Sequence, residues 1–212
     1  MTLNVRLGTK FMIKRTHKDH IRELLKINSH WNTLDLGGCR FSWEEAQTVT
    51  DLADHSELYP QKRFVKCNLE TGIPFEDQEF DFTIASHITE HIKNIDGFLN
   101  EMMRISKRGY IEVPLPLFDN LTYGNTGPHI WWIRFDDVNS EITFTPKAVV
   151  VRERIWPGPM NDQLALFFRE SMCLELYWED DIKWRMEKLP ADVNPNNKYD
   201  IWPVPHPDTA KQ

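Results

Sequence analysis

The fold of this chain is indicated first by the stretch LDLGG, residues 34–38. The apolar run 31–36 has the length of a buried strand, and Gly37-Gly38 ends that run in a tight turn. An acid, Asp35, stands two residues before the glycines. Because glycine lets the backbone approach a ligand closely, this order of a strand, an acid and two glycines favours a nucleoside-binding turn. An ordinary tight turn is the alternative.

Further strands follow at short intervals. Strands that alternate with helical segments predict parallel crossover units. We therefore expect an α/β fold with a Rossmann-like, doubly wound, mostly parallel sheet, whose ligands bind at the carboxyl ends of the strands. The first predicted strand is the run 31–36 described above. The strands predicted after it are 48–52, 63–67, 80–86 and 110–113.

The clearest helix lies between the last two of these strands. Asn94 or Asp96 can cap its start, and Gly109 can adopt the left-handed conformation that ends a helix. Its apolar stripe consists of Ile95, Phe98, Leu99, Met102 and Met103. A second amphipathic helix is expected to begin near residue 16 or 19 and to end near residue 28.

The C-terminal half is expected to add antiparallel hairpins to this sheet. The runs 130–135 and 141–144 predict one hairpin, and the alternating residues of 174–178 and 182–186 predict another. A helix is expected at 162–171. Residues 190–212, which have no apolar period, are expected to be extended or disordered.

These elements favour a single domain over residues 1–189. It divides into a basic arm with a helix (1–30), a ligand-binding core (31–116), a hairpin or lid (117–160) and a closing helix and hairpin (161–189). A single core is expected at a length of 212 residues.

Composition and charge restrict the partners. The net charge of −7 argues against nonspecific nucleic-acid binding, although residues 1–26 carry seven Lys and Arg against two acids. This basic arm is read either as a solvated helix face or as a clamp for an anionic substrate. No apolar run is long enough for a membrane span. Three cysteines without a CxxC pair and a start without a secretory signal favour the cytoplasm.

Polar residues follow the second and third predicted strands. Asp51 comes sixteen residues after Asp35, where its carboxylate can accept both ribose hydroxyls of a nucleoside. Asn68 and Leu69 follow the next strand and can hold an adenine. The alternative for Asp51 is an acid that ends a strand and has no ligand. The alternative for Asn68 and Leu69 is a turn that binds nothing.

The stretch SHITEHI, residues 86–92, allows two interpretations. It contains HxxEH, so that His87 and His91 on one helix face could bind zinc while Glu90 acts as a general base in a peptidase. However, Ser86 looks like the cap of a helix after a strand, which puts His87 at a turn. We therefore assign no metal to this stretch and keep the zinc peptidase as an alternative.

From about residue 32 to 116 the chain resembles a class I S-adenosylmethionine-dependent methyltransferase of the broad group that acts on metabolites and glycans. The resemblance is carried by LDLGG (34–38), VTDLA (49–53), CNLETGIPFEDQEFDFTIAS (67–86), SHITEHI (86–92) and RGYIEVP (108–114). The later segments 129–146 and 174–186 are similar to uncharacterised members of that group.

The resemblance implies S-adenosylmethionine as the cofactor and an oxygen or nitrogen atom of a small molecule or glycan as the methyl acceptor. It implies that the donor is bound by Asp35, Gly37, Gly38, Asp51, Asn68, Leu69 and Ser86. His87 is the candidate base, because its pKa class suits proton transfer, and Glu90 and His91 can orient it.

The glycine motif departs from the pattern of the family. If Gly37 takes the first position of GxGxG, Cys39 and Phe41 take the other two. The distance from Gly38 to Asp51 also predicts that the usual first crossover helix is shortened or lost. A degenerate binding module that has lost catalysis is therefore the main alternative function.

On the acceptor side, we expect His129 to orient or deprotonate the acceptor and Trp131 to line its pocket. A surface histidine is the alternative for His129. For Trp131 and its aromatic neighbours, the alternatives are core packing and a homodimer contact.

Overall fold

The computed structural model describes residues 12–13, 25–122, 129–147 and 168–189. Within these ranges the chain forms a seven-stranded sheet and a three-stranded sheet. The strands are β1 (Met12–Ile13), β2 (Thr33–Leu36), β3 (Thr48–Asp51), β4 (Arg63–Lys66), β5 (Phe82–Ser86), β6 (Arg108–Pro114), β7 (Trp131–Asp136), β8 (Glu141–Pro146), β9 (Cys173–Glu179) and β10 (Trp184–Met186).

The large sheet confirms the predicted Rossmann-like fold. Its strand order is β4-β3-β2-β5-β6-β9-β1, and the five strands from β4 to β6 are parallel. The chain first moves outward from β2 to β4 and then returns to the other side of β2. The order reverses between β2 and β5, and this reversal opens a crevice at their carboxyl ends where α/β sheets bind ligands.

The helices are fewer than such a fold usually has. The described helices are α1 (Ile95–Ile105), α2 (Pro116–Thr122) and α3 (Arg169–Met172), with 3-10 turns at Ser56–Leu58 and Thr89–His91. Residues 37–47, which connect β2 to β3, contain turns and no helix. The expected loss of the first crossover helix is therefore confirmed. None of the helices within the described ranges is long and apolar enough to cross a membrane.

Helix α1 begins as predicted. The side chain of Asn94 accepts a hydrogen bond from the amide of Gly97 at 3.1 Å and so caps the helix. The prediction for Gly109 was wrong, because α1 ends at Ile105 and Gly109 lies in β6. A Cβ atom at Gly109 would stand 2.2 Å from the carbonyl oxygen of Thr83. A close approach of two strands therefore requires this glycine.

The first C-terminal hairpin is confirmed, since β7 and β8 pair antiparallel from Trp131↔Pro146 to Asp136↔Glu141. The second predicted hairpin is wrong. Strand β9 joins the large sheet between β6 and β1, whereas β10 runs parallel to β8 in the small sheet. The alternating pattern identified both strands correctly, but alternation does not specify which neighbour a strand will pair with.

Apolar side chains cover both faces of the large sheet. On one face, α1 and the small sheet pack against alternate residues of the strands, and on the other face lie Leu25, Trp31, Trp43 and Tyr177. The two faces alternate along β6, where Tyr110 points to one cluster and Ile111 to the other. The strand ends are thereby held in fixed register.

We expect Leu99→Ala to destabilise the protein by about 3 kcal/mol, because Leu99 in α1 is fully buried and its loss leaves a cavity. Urea unfolding followed by tryptophan fluorescence measures this change. Asn100→Ala, on the exposed face of the same helix, is the control and should change stability by less than about 0.5 kcal/mol. Equal losses in both variants would contradict the packing described here.

Several expectations fall outside the described residues. They are most of the helix expected at 16–28, most of the helix expected at 162–171, and the tail 190–212. Most of the basic arm and parts of the expected lid also lie there. The division of the chain into segments 1–30, 31–116, 117–160 and 161–189 stays a prediction.

Candidate functional site

The carboxyl ends of β2, β3, β5 and β6 bring most of the predicted site residues to one edge of the sheet. Strand β5 lies beside β2, and Ser86 at its end is paired with Glu112 of β6. The site has two parts, a turn after β2 and a group of histidines and acids that begins after β5.

The turn after β2, residues 37–39, is tied to the end of β3. The amides of Gly37 and Gly38 donate to the carbonyl oxygen of Thr50 at 2.9 and 3.1 Å, and the amide of Cys39 donates to Asp51 Oδ2 at 3.0 Å. Gly37 has a φ of +70°, which favours glycine. A Cβ atom there would also stand 2.8 Å from the Ile88 side chain. The turn therefore requires glycine at position 37.

Asp51 ends β3 at the crevice. Its two carboxylate oxygens accept hydrogen bonds from the amides of Cys39 and Ala53, at 3.0 and 2.9 Å. A carboxylate oxygen has two lone pairs, so each oxygen can accept a further hydrogen bond from a ribose hydroxyl. The half-buried position of Asp51 suits the predicted role in donor binding.

Asp35 lies beneath the turn. Its side chain is 2% exposed, and Oδ2 accepts a hydrogen bond from the amide of Trp43 at 2.9 Å. Trp43 is buried in the loop that replaces the first crossover helix. The structure therefore supports a positioning role for Asp35, which holds the loop next to the crevice.

The predicted adenine residues lie one strand further out. Asn68 and Leu69 follow β4, which pairs with β3 up to Asp51↔Lys66. The oxygen of the Asn68 side chain accepts a hydrogen bond from the amide of Glu70 at 3.0 Å, which forms a local turn. Leu69 is buried at 8% exposure. Adenine binding by this pair stays a prediction.

His87 lies at the end of β5 between two buried carboxylates. Its backbone has a φ of +55°, and its amide donates to the carbonyl oxygen of Glu112 at 2.8 Å. The ring contacts Glu112 Oε1 through Nε2 at 2.9 Å and Glu90 Oε1 through Nδ1 at 3.4 Å. The second oxygen of Glu112 accepts a hydrogen bond from the Tyr110 hydroxyl at 2.6 Å.

These contacts affect the protonation of His87. Burial by itself lowers the pKa of His87, but the contacts with Cys173, Glu112 and Glu90 outweigh burial and raise the pKa well above its ordinary value. The side chain is 43% exposed, and the direction of the shift follows from the two buried carboxylates beside it. The two carboxylates therefore favour the protonated form of His87. Its role as a base stays a prediction and requires that this proton first leave.

The segment after His87 does not form the helix that a zinc peptidase needs. Thr89–His91 is a single 3-10 turn, and its N-cap is Ile88 without a side-chain hydrogen bond. The expected cap at Ser86 is wrong, because Ser86 is the last residue of β5. His87 and His91 therefore do not share a helix face, and the HxxEH peptidase alternative loses its structural basis.

A second group of side chains, which we call the histidine cluster, consists of Glu90, His91, Asp119, His129 and Lys147. His129 contacts Asp119 Oδ1 through Nδ1 at 2.6 Å and faces Glu90 Oε1 through Nε2 at 3.9 Å. The rings of His91 and His129 meet edge to face, with centroids 4.7 Å apart. The surface alternative for His129 is wrong, since its side chain is only 10% exposed.

Asp119 is held in its charged form within this cluster. Burial raises the pKa of Asp119, but hydrogen bonds with His129 and Lys147 outweigh burial and lower the pKa below its ordinary value. Lys147 Nζ lies 2.6 Å from Asp119 Oδ2 and is almost fully buried. The cluster therefore contains a buried ion pair that orients the ring of His129.

Trp131 anchors the small sheet beside the cluster. Its indole N–H donates to the carbonyl oxygen of Ile92 at 2.6 Å, and its ring lies edge to face with Phe144. The amide of Ile130 donates to the carbonyl oxygen of Glu90 at 2.9 Å. The small sheet is therefore attached directly to the segment after His87. An acceptor contact through Trp131 stays a prediction.

Sequence reasoning missed three of these residues. Glu112 did carry a signal, because it is an acid inside the apolar stretch YIEVP of a central strand and such an acid is rarely buried without a function. Asp119 and Lys147 carried no local signal. They meet His129 only because α2 and the end of β8 approach each other in the fold.

Comparison with known proteins agrees with this architecture. A family described as a methyltransferase domain matches residues 35–111. No curated protein matches the sequence.

Solved structures show similarities at low identity. YcgJ from Bacillus subtilis is 18% identical with a TM-score of 0.39, and the alignment covers 45% of this chain and 51% of YcgJ, so this chain spans about half of that protein. The PH0226 protein from Pyrococcus horikoshii OT3 is 14% identical with a TM-score of 0.46, and 76% of this chain and 87% of that chain are covered. An S-adenosylmethionine-dependent methyltransferase from Mesorhizobium loti is 10% identical with a TM-score of 0.44, over 75% of this chain and 96% of that chain.

The family match begins at Asp35 and ends at Ile111, so it spans the parallel strands from β2 to β6 that form the crevice. S-adenosylmethionine is the methyl donor of class I domains of this kind. The segment 35–111 therefore has the sequence pattern and the parallel strands of a class I methyltransferase domain.

Proposed function

We propose that this protein transfers the methyl group of S-adenosylmethionine to an oxygen or nitrogen atom of a small molecule or a glycan. The donor lies against the turn 37–39 with its ribose at Asp51, and the acceptor enters over the ends of β5 and β6. The single observation that carries this proposal is the placement of the turn and of His87 on adjacent parallel strands.

The two parts of the site also touch. The side chain of Ile88, next to His87, packs on Gly37 so closely that no Cβ atom fits between them. Methyl transfer is an in-line displacement that depends on holding donor and acceptor at a fixed distance. A direct contact between the donor turn and the segment of His87 supports such fixed positioning.

The polarity of the acceptor side supports a hydroxyl or amine acceptor. Glu90, Glu112 and Asp119 are buried carboxylates at this edge, and His87 and His129 lie among them. The carboxylate oxygens among these groups can accept hydrogen bonds from hydroxyl and amine hydrogens. The net charge of −7 favours a small molecule or a glycan over a nucleic acid, whose phosphates this charge would repel.

Calorimetric titration of the full chain with S-adenosylmethionine and with S-adenosylhomocysteine tests donor binding. We expect micromolar affinity for both compounds, and we expect S-adenosylhomocysteine to form when hydroxylated or amine-bearing acceptors are added. If the chain bound neither compound, the proposal would be wrong. Binding without turnover on any hydroxyl or amine acceptor would contradict the proposed acceptor class.

A further inference from the structure

We propose that Glu90, His91 and His129 form a binding site for one divalent transition-metal ion. This inference goes beyond methyl transfer, because a metal site can be measured without donor or acceptor. It also differs from the zinc site of the HxxEH alternative, since His87 pairs with Glu112 and is not a ligand here.

The three side chains have the required ligand atoms in one place. One oxygen or nitrogen atom from each of them lies within 4.8 Å of the others, and His129 Nε2 is 3.9 Å from Glu90 Oε1. In a tetrahedral site with bonds of about 2.1 Å, ligand atoms stand about 3.4 Å apart. Side-chain rotations that move the ligand atoms by about 1 Å therefore suffice to close the site.

Glu90 is the observation that points to a ligand. Its side chain is 1% exposed, and neither carboxylate oxygen receives a hydrogen bond from the residues that the structure describes. The nearest ionisable groups are the rings of His87, at 3.4 Å, and His129, at 3.9 Å. A buried carboxylate without hydrogen bonds is costly, and a bound cation would remove this cost.

His129 is oriented as metal-binding histidines usually are. Its Nδ1 atom contacts Asp119 at 2.6 Å, which turns Nε2 toward Glu90. Metal-bound histidines commonly donate their second ring N–H to a carboxylate, which fixes the ring and raises its basicity. Lys147 contacts the other oxygen of Asp119 at 2.6 Å and holds it in place. Asp119 is therefore a positioning residue for the metal site.

The ligand set indicates the class of ion. Two imidazoles and one carboxylate suit Zn²⁺ or Fe²⁺, whereas Mg²⁺ prefers oxygen ligands. Three protein ligands leave a coordination position open, as in catalytic rather than structural sites.

Two other groups within the described ranges could compete for a metal ion. They are His87 with Glu112 and Cys173, and Cys39 with Asp51 and His55. Each of these groups contains a cysteine, whereas the proposed site contains none. A probe that detects sulfur ligands therefore separates the proposed site from both competitors.

The experiment titrates the chelator-treated full chain with Zn²⁺ in a calorimeter. We expect one Zn²⁺ ion per chain, and we expect Glu90→Gln and His129→Gln to weaken binding by at least about 100-fold. Asp119→Asn should weaken it by about 10 to 100-fold, which is the range found for carboxylates that orient metal-bound histidines. His55→Gln, which removes a ligand of a competing group, should leave the affinity unchanged. Mg²⁺ should not displace Zn²⁺.

The Co²⁺-loaded protein provides a second measurement that needs no variant. We expect absorption bands of a four- or five-coordinate ion and no thiolate-to-cobalt charge-transfer band. A charge-transfer band, the absence of Zn²⁺ binding, or a loss of binding in His55→Gln but not in Glu90→Gln would each overturn the proposal. His129→Gln could fail to fold. In that case the proposed metal site would still be tested by Glu90→Gln, which conserves the shape of the side chain, and by the Co²⁺ spectrum.

Discussion

Asp51→Ala is expected to lower the affinity for S-adenosylmethionine by at least about 100-fold. A hydrogen bond to a charged group contributes about 1.5 to 3 kcal/mol, and the carboxylate is proposed to accept one from each ribose hydroxyl. Each 1.4 kcal/mol corresponds to a tenfold change in affinity. The substitution also removes the acceptor of the Cys39 amide, so the donor turn loses a hydrogen bond that holds it.

Calorimetric titration of the variant measures this loss. Asp54→Ala is the matched control, because it removes the same charge three residues later from an exposed side chain that contacts the amide of Ser56. The control should bind the donor as the unchanged protein does. Equal affinity in both variants would show that the ribose does not lie at Asp51.

Gly109→Ala is expected to destabilise the protein by about 3 kcal/mol, at the upper end of what overpacking usually costs. The new Cβ atom would stand 2.2 Å from the carbonyl oxygen of Thr83 and 2.7 Å from Trp178. The first obstacle is backbone in the neighbouring strand β5, and the second is a fully buried indole in β9. Neither can move without shifting a central strand.

Urea unfolding of this variant gives the free energy directly. Gly97→Ala is the control, because the three atoms nearest to its new Cβ atom all belong to the side chain of Asn94, which can rotate away. Its cost should not exceed about 1 kcal/mol, the value of a lost helix cap. If the two variants unfolded at the same urea concentration, β5, β6 and β9 would not pack as described.

Much of the fold could be predicted from local patterns. The five parallel strands and α1 were found because their apolar runs are short, regular and bounded by polar or glycine residues, as at Leu36-Gly37 and Asn94-Ile95. The predictions that were wrong concerned features that depend on residues distant in the sequence. Gly109 looked like a helix stop, but its reason is the backbone of Thr83 across the sheet. Similarly, nothing in the sequence of β10 states that it pairs with β8.

The site was predictable in part for the same reason. Asp51 ends β3 and His87 follows β5, so a reading of the strands alone places both residues at the carboxyl edge of the sheet, whereas their roles stay predictions. The histidine cluster could not be assembled from sequence. Asp119, His129 and Lys147 come from three separate elements, and no periodic pattern relates them.

The position of β1 has a consequence for synthesis of the chain on the ribosome. Among the residues that the structure describes, strand β1 (Met12–Ile13) pairs with β9, which spans Cys173–Glu179, and with no other strand. Until β9 has left the ribosome, β1 has no partner in this sheet and β6 is an open edge strand, which is a template for aggregation. Contacts between residues so far apart in sequence form slowly. Nascent chains that stop before Cys173 should therefore need chaperones more than the complete sheet does.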